Sequence, residues 1–346
     1  MSREVTWEGL SAIPKAELHV HLDGSLRPDT MIELARQEGI TLPASGPEAL
    51  ARAMKADDSR SLVEYLEKFA ITLSLLQKPK ALERTAYELA EDAAAENVRY
   101  LEVRYSPILH TEGKMTLEEA VEAPLRGLAA AEHTYGIRTG LIICAMRHMD
   151  VASSLELAQL AVSHKDQGVV AFDLAGREAG NPARGHREAF QFAAEHNLAI
   201  TVHAGEADGA GSIAQAIHEC HARRIGHGTR LLEDPALEAY VNDFRIPLEV
   251  CLTSNVQTRV ASSYREHPFR RYFDAGLVVT LNTDNRLVSG TTLTEEYWLA
   301  HQHLGLEWEE LKEVAFLGFQ AAFLPYEAKV NLLEEVEEVI RGFEEV

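Results

Sequence analysis

Cysteine is nearly missing from this chain. Its 346 residues include three, Cys144, Cys220 and Cys251, far apart and without a Cys-x-x-Cys pair. That argues against a disulfide framework and for reduced thiols in a cytosolic protein. Positive charge is scarce as well: 33 basic residues stand against 54 acidic ones, the net charge is −21, and no Lys/Arg-rich run interrupts the acidic field. Such a field repels phosphate backbones and anionic bilayers, so neither nucleic acid nor membrane is expected as a partner, and the acidity serves solubility. No apolar run approaches the about 20 residues of a membrane span, and MSREVTWEGL lacks the apolar centre of a secretion signal. A soluble, cytoplasmic protein is expected. Low-complexity segments, sequence repeats and Gly/Ser/Pro-rich linkers are absent too, which favours one domain over residues 1–346 although the length alone would allow two.

What is present is an apolar content of 46%, enough for a large core, distributed as alternating short β-rich runs and helical patterns. The first strand lies within AELHVHLDGS, residues 16–25, and others are expected at 100–105, 139–145, 169–174, 198–203, 224–227, 247–252 and 277–282. Helices are expected at 28–38, where Pro28 opens and Gly39 stops the pattern, and at 61–77, 80–96, 117–135, 151–164, 186–196, 212–221, 235–243 and 266–275. Eight strands with helices between them make an α/β fold, a (β/α)8 TIM-type barrel with extra helices after strand one and at the C-terminus. In the last helix Leu332, Leu333, Val336, Val339, Ile340 and Phe343 form one apolar face and glutamates the other, as for a helix packed on the barrel's outside.

In such a barrel the chemistry sits at the carboxyl ends of the strands. His19 and His21 share one side of strand one, about 7 Å apart along it, close enough to bind one ion. The fourth strand ends in Asp173 to Gly176, the fifth in His203-Ala-Gly-Glu206, the sixth in Gly226-His227-Gly228, the seventh in Thr253-Ser-Asn255 and the eighth in Thr283-Asp284-Asn285. His19, His21, His203 and Asp284 supply three imidazoles and a carboxylate, a set suited to Zn²⁺, though Fe²⁺ or Co²⁺ would accept the same donors. One ion per chain is expected, because two-metal barrels of this kind use a bridging carboxylate or modified lysine and strand four ends in DLAG. Glu206, three residues past a ligand, is placed to act as general acid/base without binding the ion. His227, between glycines, can orient and polarise the attacking water, or serve as a further ligand. His301 and His303 fall in a helix, where residues two apart diverge, and His218 and His221 lie towards the opposite face. His110-Thr-Glu112 has no Cys pair to follow it, which excludes the cysteine-ligated zinc deaminases.

The motifs PKAELHVHLDGS, LEVRYSP, DLAGRE, TVHAGE, RIGHG, CLTSN and LNTDN, followed by FLPYEAK, run in order from Pro14 to about Pro325, and in these the chain resembles the adenosine deaminases of the metal-dependent hydrolase superfamily. The resemblance implies zinc-dependent hydrolytic deamination of adenosine, and of 2′-deoxyadenosine, at C6 of the purine, with His19, His21, His203 and Asp284 as zinc ligands. It implies that Glu206 protonates N1, that His227 steadies the attacking water, and that Asp284 belongs to the catalytic groups. His21, Asp23, Gly176 and Asn285 would face the substrate: Gly176 through its backbone to the purine, Asp23 at the ribose, Asn285 at N7. Relatives that act on the free base tend to carry Glu where Asp23 stands, so a nucleoside is favoured. One departure is Asp284-Asn285-Arg286, where many members have two acids and a proline; an Asn amide can donate to N7 without being protonated, yet the change leaves room for a related 6-amino purine such as aminodeoxyfutalosine or adenine. Two other readings are a His-x-His phosphoester hydrolase, which would need two metals and a basic pocket, and a binding protein that has lost the chemistry, against which all four ligands and Glu206 are present.

Overall fold

The computed structural model of the chain describes residues 4–57, 59 and 61–342. Eight parallel strands pair in chain order: β1 (Lys15–His21), β2 (Val98–Tyr105), β3 (Arg138–Met146), β4 (Val169–Ala175), β5 (Ala199–Ala204), β6 (Arg224–His227), β7 (Leu248–Val250) and β8 (Val279–Leu281). Leu18 N donates to Asn282 Oδ1, Asp284 N donates to His19 O (2.9 Å) and His21 N donates to Asp284 O (2.7 Å), so the chain just past β8 returns to β1. The sheet is a barrel, as the alternation of strands and helices required. Its strands are buried on both faces, and nearly every residue of each is inaccessible to water.

Apolar residues such as Leu101, Val103, Leu141, Ile143, Val202 and Ile225 belong to one continuous core. Charged residues alternate with them and meet one another across the interior. Arg104 pairs with Asp173 (3.1 Å) and Glu249 (2.7 Å), and Arg224 pairs with Glu249 (2.6 Å) and with Glu102. The end of the helix Trp308–Ala321 and the residues just past it cover this cluster: Arg224 Nη1 donates to Ala321 O, Phe323 N donates to Glu102, and the Arg224 guanidinium lies 3.5 Å over the Phe323 ring.

The helices Pro28–Glu38, Leu117–Tyr135 and Pro235–Asp243 fall where the sequence puts them; the first ends at Gly39 with φ +69°, and the second is capped by Thr116 with Glu119. The pattern at 61–77 is two helices, Leu62–Glu67 and Phe69–Leu75. They part at Lys68, whose N–H turns back to Tyr65 O, three residues away, while the Tyr65 hydroxyl anchors the first helix to Ser289 Oγ (2.7 Å). Trp7–Ala12, Pro47–Met54 and Leu252–Gln257 are further helices, too short for a clear period; the last cuts β7 to three residues. In the helix Tyr326–Gly342 the apolar stripe is narrower than expected: Leu332 and Val336 are buried, Leu333 and Ile340 half-buried, and Val339 is exposed because the helix packs chiefly on the helix Trp308–Ala321 along one line of contact. Phe343 lies outside the described residues. Among the described residues no helix is long and apolar enough to cross a membrane, and the three cysteines are free and buried.

Candidate active site

β1 delivers His19 and His21, the end of β5 delivers His203, and the turn after β8 delivers Asp284; one donor atom from each lies within 4.8 Å of all the others. Carboxylates behind two of the rings set their tautomers. Glu249 Oε2 accepts from His19 Nδ1 (2.9 Å) and Asp173 Oδ2 from His203 Nδ1 (2.9 Å), so both rings turn a bare Nε2 inward. His21 Nε2 is 3.1 Å from His203 Nε2, and Asp284 Oδ1 is 3.5 Å from His19 Nε2 and 3.4 Å from His21 Nε2. His19 Nε2 is buried with no hydrogen-bond partner. Burial lowers the pKa of His21 to about 3 and pushes that of His203 down, while Asp284, against the cost of burial, is held below the usual carboxylate range by His19 and the neighbouring rings. Neutral imidazole lone pairs and one carboxylate oxygen converging in a buried space are what a divalent cation requires, so the residues fit the group.

The crowding is bought with backbone conformation. His227 (φ +63°) and Asp284 (φ +61°) both adopt the left-handed region that side chains other than glycine rarely enter, a strain that collects at functional sites. A side chain at Gly226 would stand 3.0 Å from the His19 ring and 3.1 Å from His203 Cα. Ser254 Oγ donates to the second oxygen of Asp284 (2.6 Å).

Glu206 is buried, and its Oε2 is 3.6 Å from His227 Nε2. Burial, then the charges of Asp284 and Glu178, push its carboxyl well above the usual range. The loop that carries it is gripped by Glu178, whose two oxygens accept from the N–H groups of Gly205 (2.7 Å), Glu206 (3.0 Å), Ala207 (2.5 Å) and Asp208 (2.9 Å) and from Ser212 Oγ (2.6 Å). His227 Nδ1 faces Asn255 Nδ2 at 3.1 Å.

These groups open into a cavity of about 280 Å³ that also exposes Asp23, Gly176 and Asn285, so every residue expected to bind metal, substrate or proton except His19 lines one space. His19 forms the floor beneath it. Leu62, Leu66, Phe69 and Leu73 of the two short helices give the cavity an apolar wall. Asp23 is buried, with one oxygen 3.8 Å from His110 Nε2. Gly176 has φ +90°, and a side chain there would press on Met146 and His148. Asn285 gives one Nδ2 hydrogen to the Tyr65 hydroxyl (2.8 Å) and keeps the other; its Oδ1 is buried without a partner. His301 Nδ1 donates to Leu306 O, and His303 stacks on Tyr264, so both are occupied elsewhere.

Sequence reasoning missed the supports. Glu178 stood inside a quoted motif with no task attached, and Asp173 and Glu249 are acids within otherwise apolar strands, which is the signal by which they were detectable. Tyr65 lines the cavity, and His267 meets Asn255 behind His227 (3.1 Å); both come from segments distant from the ligands in sequence, and nothing local marks them.

Residues 14–339 match the family model of adenosine deaminase. The chain is 41% identical over 331 residues to an adenosine deaminase from Clostridium acetobutylicum, covering 95% of this chain and 99% of that protein. It is 40% identical over 335 residues to a probable adenosine deaminase from Dictyostelium discoideum, which takes in 96% of this chain and 43% of that protein, so the chain spans under half of that relative. The solved structure of an adenine deaminase from Arthrobacter aurescens superimposes with a TM-score of 0.89 at 30% identity, covering 95% of this chain and all of that one.

Proposed function

The chain belongs to the adenosine deaminase family, and from that premise we propose that it hydrolyses adenosine and 2′-deoxyadenosine to the corresponding inosine and ammonia, with one zinc ion per chain. The observation that carries this reading is the convergence of His19, His21, His203 and Asp284 on one point, with Glu206 and His227 at its edge and a cavity above it. His19, His21, His203 and Asp284 would hold the ion. Zinc, when bound, is a Lewis acid that brings the pKa of water to roughly 7.

The remaining steps belong to this chain's own side chains. Glu206, kept protonated by its burial, gives its proton to N1 of the purine, which makes C6 electrophilic enough for water to add. His227 steadies the water that attacks C6; one of that water's protons passes to the amino group, which leaves as ammonia from the same carbon, and the other restores the Glu206 carboxyl. Asp284 is both a ligand and a negative charge beside that water, and His21, which also lines the cavity, faces the purine. Gly176 meets the base through its backbone, and Asn285 donates its free Nδ2 hydrogen to N7. Asp23, held near His110, receives the ribose. The apolar wall over the cavity keeps bulk water from the charged centre.

The similar adenine deaminase is named for a free base, whereas the nucleoside reading of this chain rests on Asp23, where relatives that act on the free base tend to carry Glu. Zinc-loaded protein incubated with adenosine, 2′-deoxyadenosine, adenine and adenosine monophosphate, with ammonia measured, tests the proposal. Turnover of the two nucleosides well ahead of adenine is expected. Equal use of adenine and adenosine would remove the sugar role of Asp23, and no ammonia from any of the four would overturn the reading.

A further inference from the structure

His227 faces the reacting centre through Nε2, and whether that nitrogen carries a proton decides whether the ring can donate there. The answer can be traced from a main-chain amide outside the cavity. Phe269 N lies 3.1 Å from His267 Nδ1, and a backbone N–H can only donate, so Nδ1 is the bare nitrogen of that ring and its proton is on Nε2. His267 Nε2–H meets Asn255 at 3.1 Å, which requires the amide oxygen Oδ1 on that side. The other end of the amide, Nδ2–H, then points at His227 Nδ1, 3.1 Å away, and makes that nitrogen an acceptor. The one remaining proton of a neutral His227 ring therefore sits on Nε2, towards Glu206 Oε2 and the rings of His19 and His203. Reversing the chain would set two hydrogens face to face between Phe269 and His267. His267, Asn255 and His227 are 4%, 0% and 1% exposed, so water does not compete for these bonds, and burial lowers the pKa of His267 to about 3, which keeps it neutral.

We propose that Asn255 and His267 are positioning residues that hold His227 as its Nε2–H tautomer, making it a hydrogen-bond donor to the attacking water and unable to bind the ion through that nitrogen. This rests on the reading of His227 as the group that steadies the water. Neither positioning residue touches substrate; each acts through the next ring or amide. A bare Nε2 could only accept from the water's own O–H, and would leave its oxygen without this donor.

Asn255→Asp tests the relay with a side chain of nearly the same shape. A carboxylate only accepts, so it can take the His267 Nε2 proton but requires His227 to protonate Nδ1. The measurement is ¹⁵N NMR of the zinc-loaded, histidine-labelled protein, with the His227 signals assigned by their loss in His227→Gln. The expected wild-type spectrum has an unprotonated Nδ1 and a protonated Nε2. In Asn255→Asp the proton should appear on Nδ1, with zinc content unchanged and kcat lower by about 10²- to 10⁴-fold, the scale of a catalytic imidazole in the wrong tautomer. A wild-type proton on Nδ1, or no tautomer change in Asn255→Asp, overturns the relay; the wild-type spectrum decides this alone if the variant does not fold. A tautomer change that leaves kcat intact would overturn the donor role of His227 while leaving the relay standing.

Discussion

Two polar clusters lie back to back inside the barrel, and they are built to opposite specifications. In one, Arg104, Arg224, Glu102 and Glu249 are fully buried and every charge has a counter-charge. In the other, His19, His21, His203 and Asp284 turn ring nitrogens and a carboxylate oxygen toward one another, donor atoms for a cation rather than partners for each other. Glu249 and Asp173 belong to both: each pairs with Arg104 on one side and a histidine Nδ1 on the other. Burial alone therefore does not mark a functional residue. The mark is valence left over after the protein's own partners are counted, which costs stability unless a ligand supplies the missing charge.

The widest separation of the two clusters should come from the ligands. Asp284→Asn and His203→Ala should lose the ion and all measurable turnover while the paired cluster and the fold remain, and chelation of the wild type should do the same. Elemental analysis, ammonia release and circular dichroism read the three quantities; two tightly held ions per wild-type chain would contradict a single centre. Next in size is Glu206→Gln, which keeps the ion and the fold but should cost about 10²- to 10⁴-fold in kcat, the usual worth of a positioned acid. Near-normal turnover would end that assignment.

Glu249→Gln attacks the joint and should injure both clusters. Removing one partner of a buried pair costs about 3–5 kcal/mol, and loss of the carboxylate behind a ligand costs about 10- to 100-fold in metal affinity. Denaturant unfolding and metal titration of one sample read both. A variant that weakens metal binding with full stability would show that the paired cluster does not depend on Glu249.

The smallest effect is expected beside the clusters, at Glu296. It accepts from Thr253 N (3.2 Å), from Thr253 Oγ1 and from Thr291 Oγ1 (2.9 Å), and burial raises its pKa to about 7. Between the ordinary value of 4.5 and about 7 the unfolded chain is ionised while the folded one holds the proton, so this group's contribution falls as pH rises through that window. The slope is at most about 1.4 kcal/mol per pH unit. Glu296→Gln should flatten it; an unchanged pH dependence of unfolding would mean that Glu296 is ionised in the fold.

The legibility of the two clusters in sequence also differs. His19, His21, His203 and Asp284 announced themselves, because a strand's two-residue period and the rule that barrel chemistry sits at strand ends place residues without reference to their neighbours. Glu249 and Arg224 did not, since what makes a buried charge structural is the opposite charge it meets, and that partner stands on another strand: Arg104 and Glu249 are 145 residues apart. The short helices Pro47–Met54 and Leu252–Gln257 escaped notice for a related reason. One or two turns give too few residues to declare a period, and such helices exist because the barrel around them fixes both ends. Asn285 was singled out, but its tie to Tyr65 was not, since that bond joins the end of β8 to the first of the two short helices across 220 residues.

The closure between β1 and the turn after β8 ties the life history of the chain to its chemistry. The backbone bonds that shut the barrel run between Asp284 and both His19 and His21, so three of the four proposed ligands are also the clasp. These partners are neighbours in the fold but far apart along the chain, and bonds between residues so separated in sequence are the slow ones to form. A chain still emerging from the ribosome holds two of its histidines from the start, gains the third after β5, and owns a complete site only once Asp284 has been made and has found strand one. A nascent or half-folded chain would thus compete poorly for the cell's metal, and the proposed ion, binding only the closed form, would act as a latch that slows reopening of the barrel at the place where its first and last strands meet.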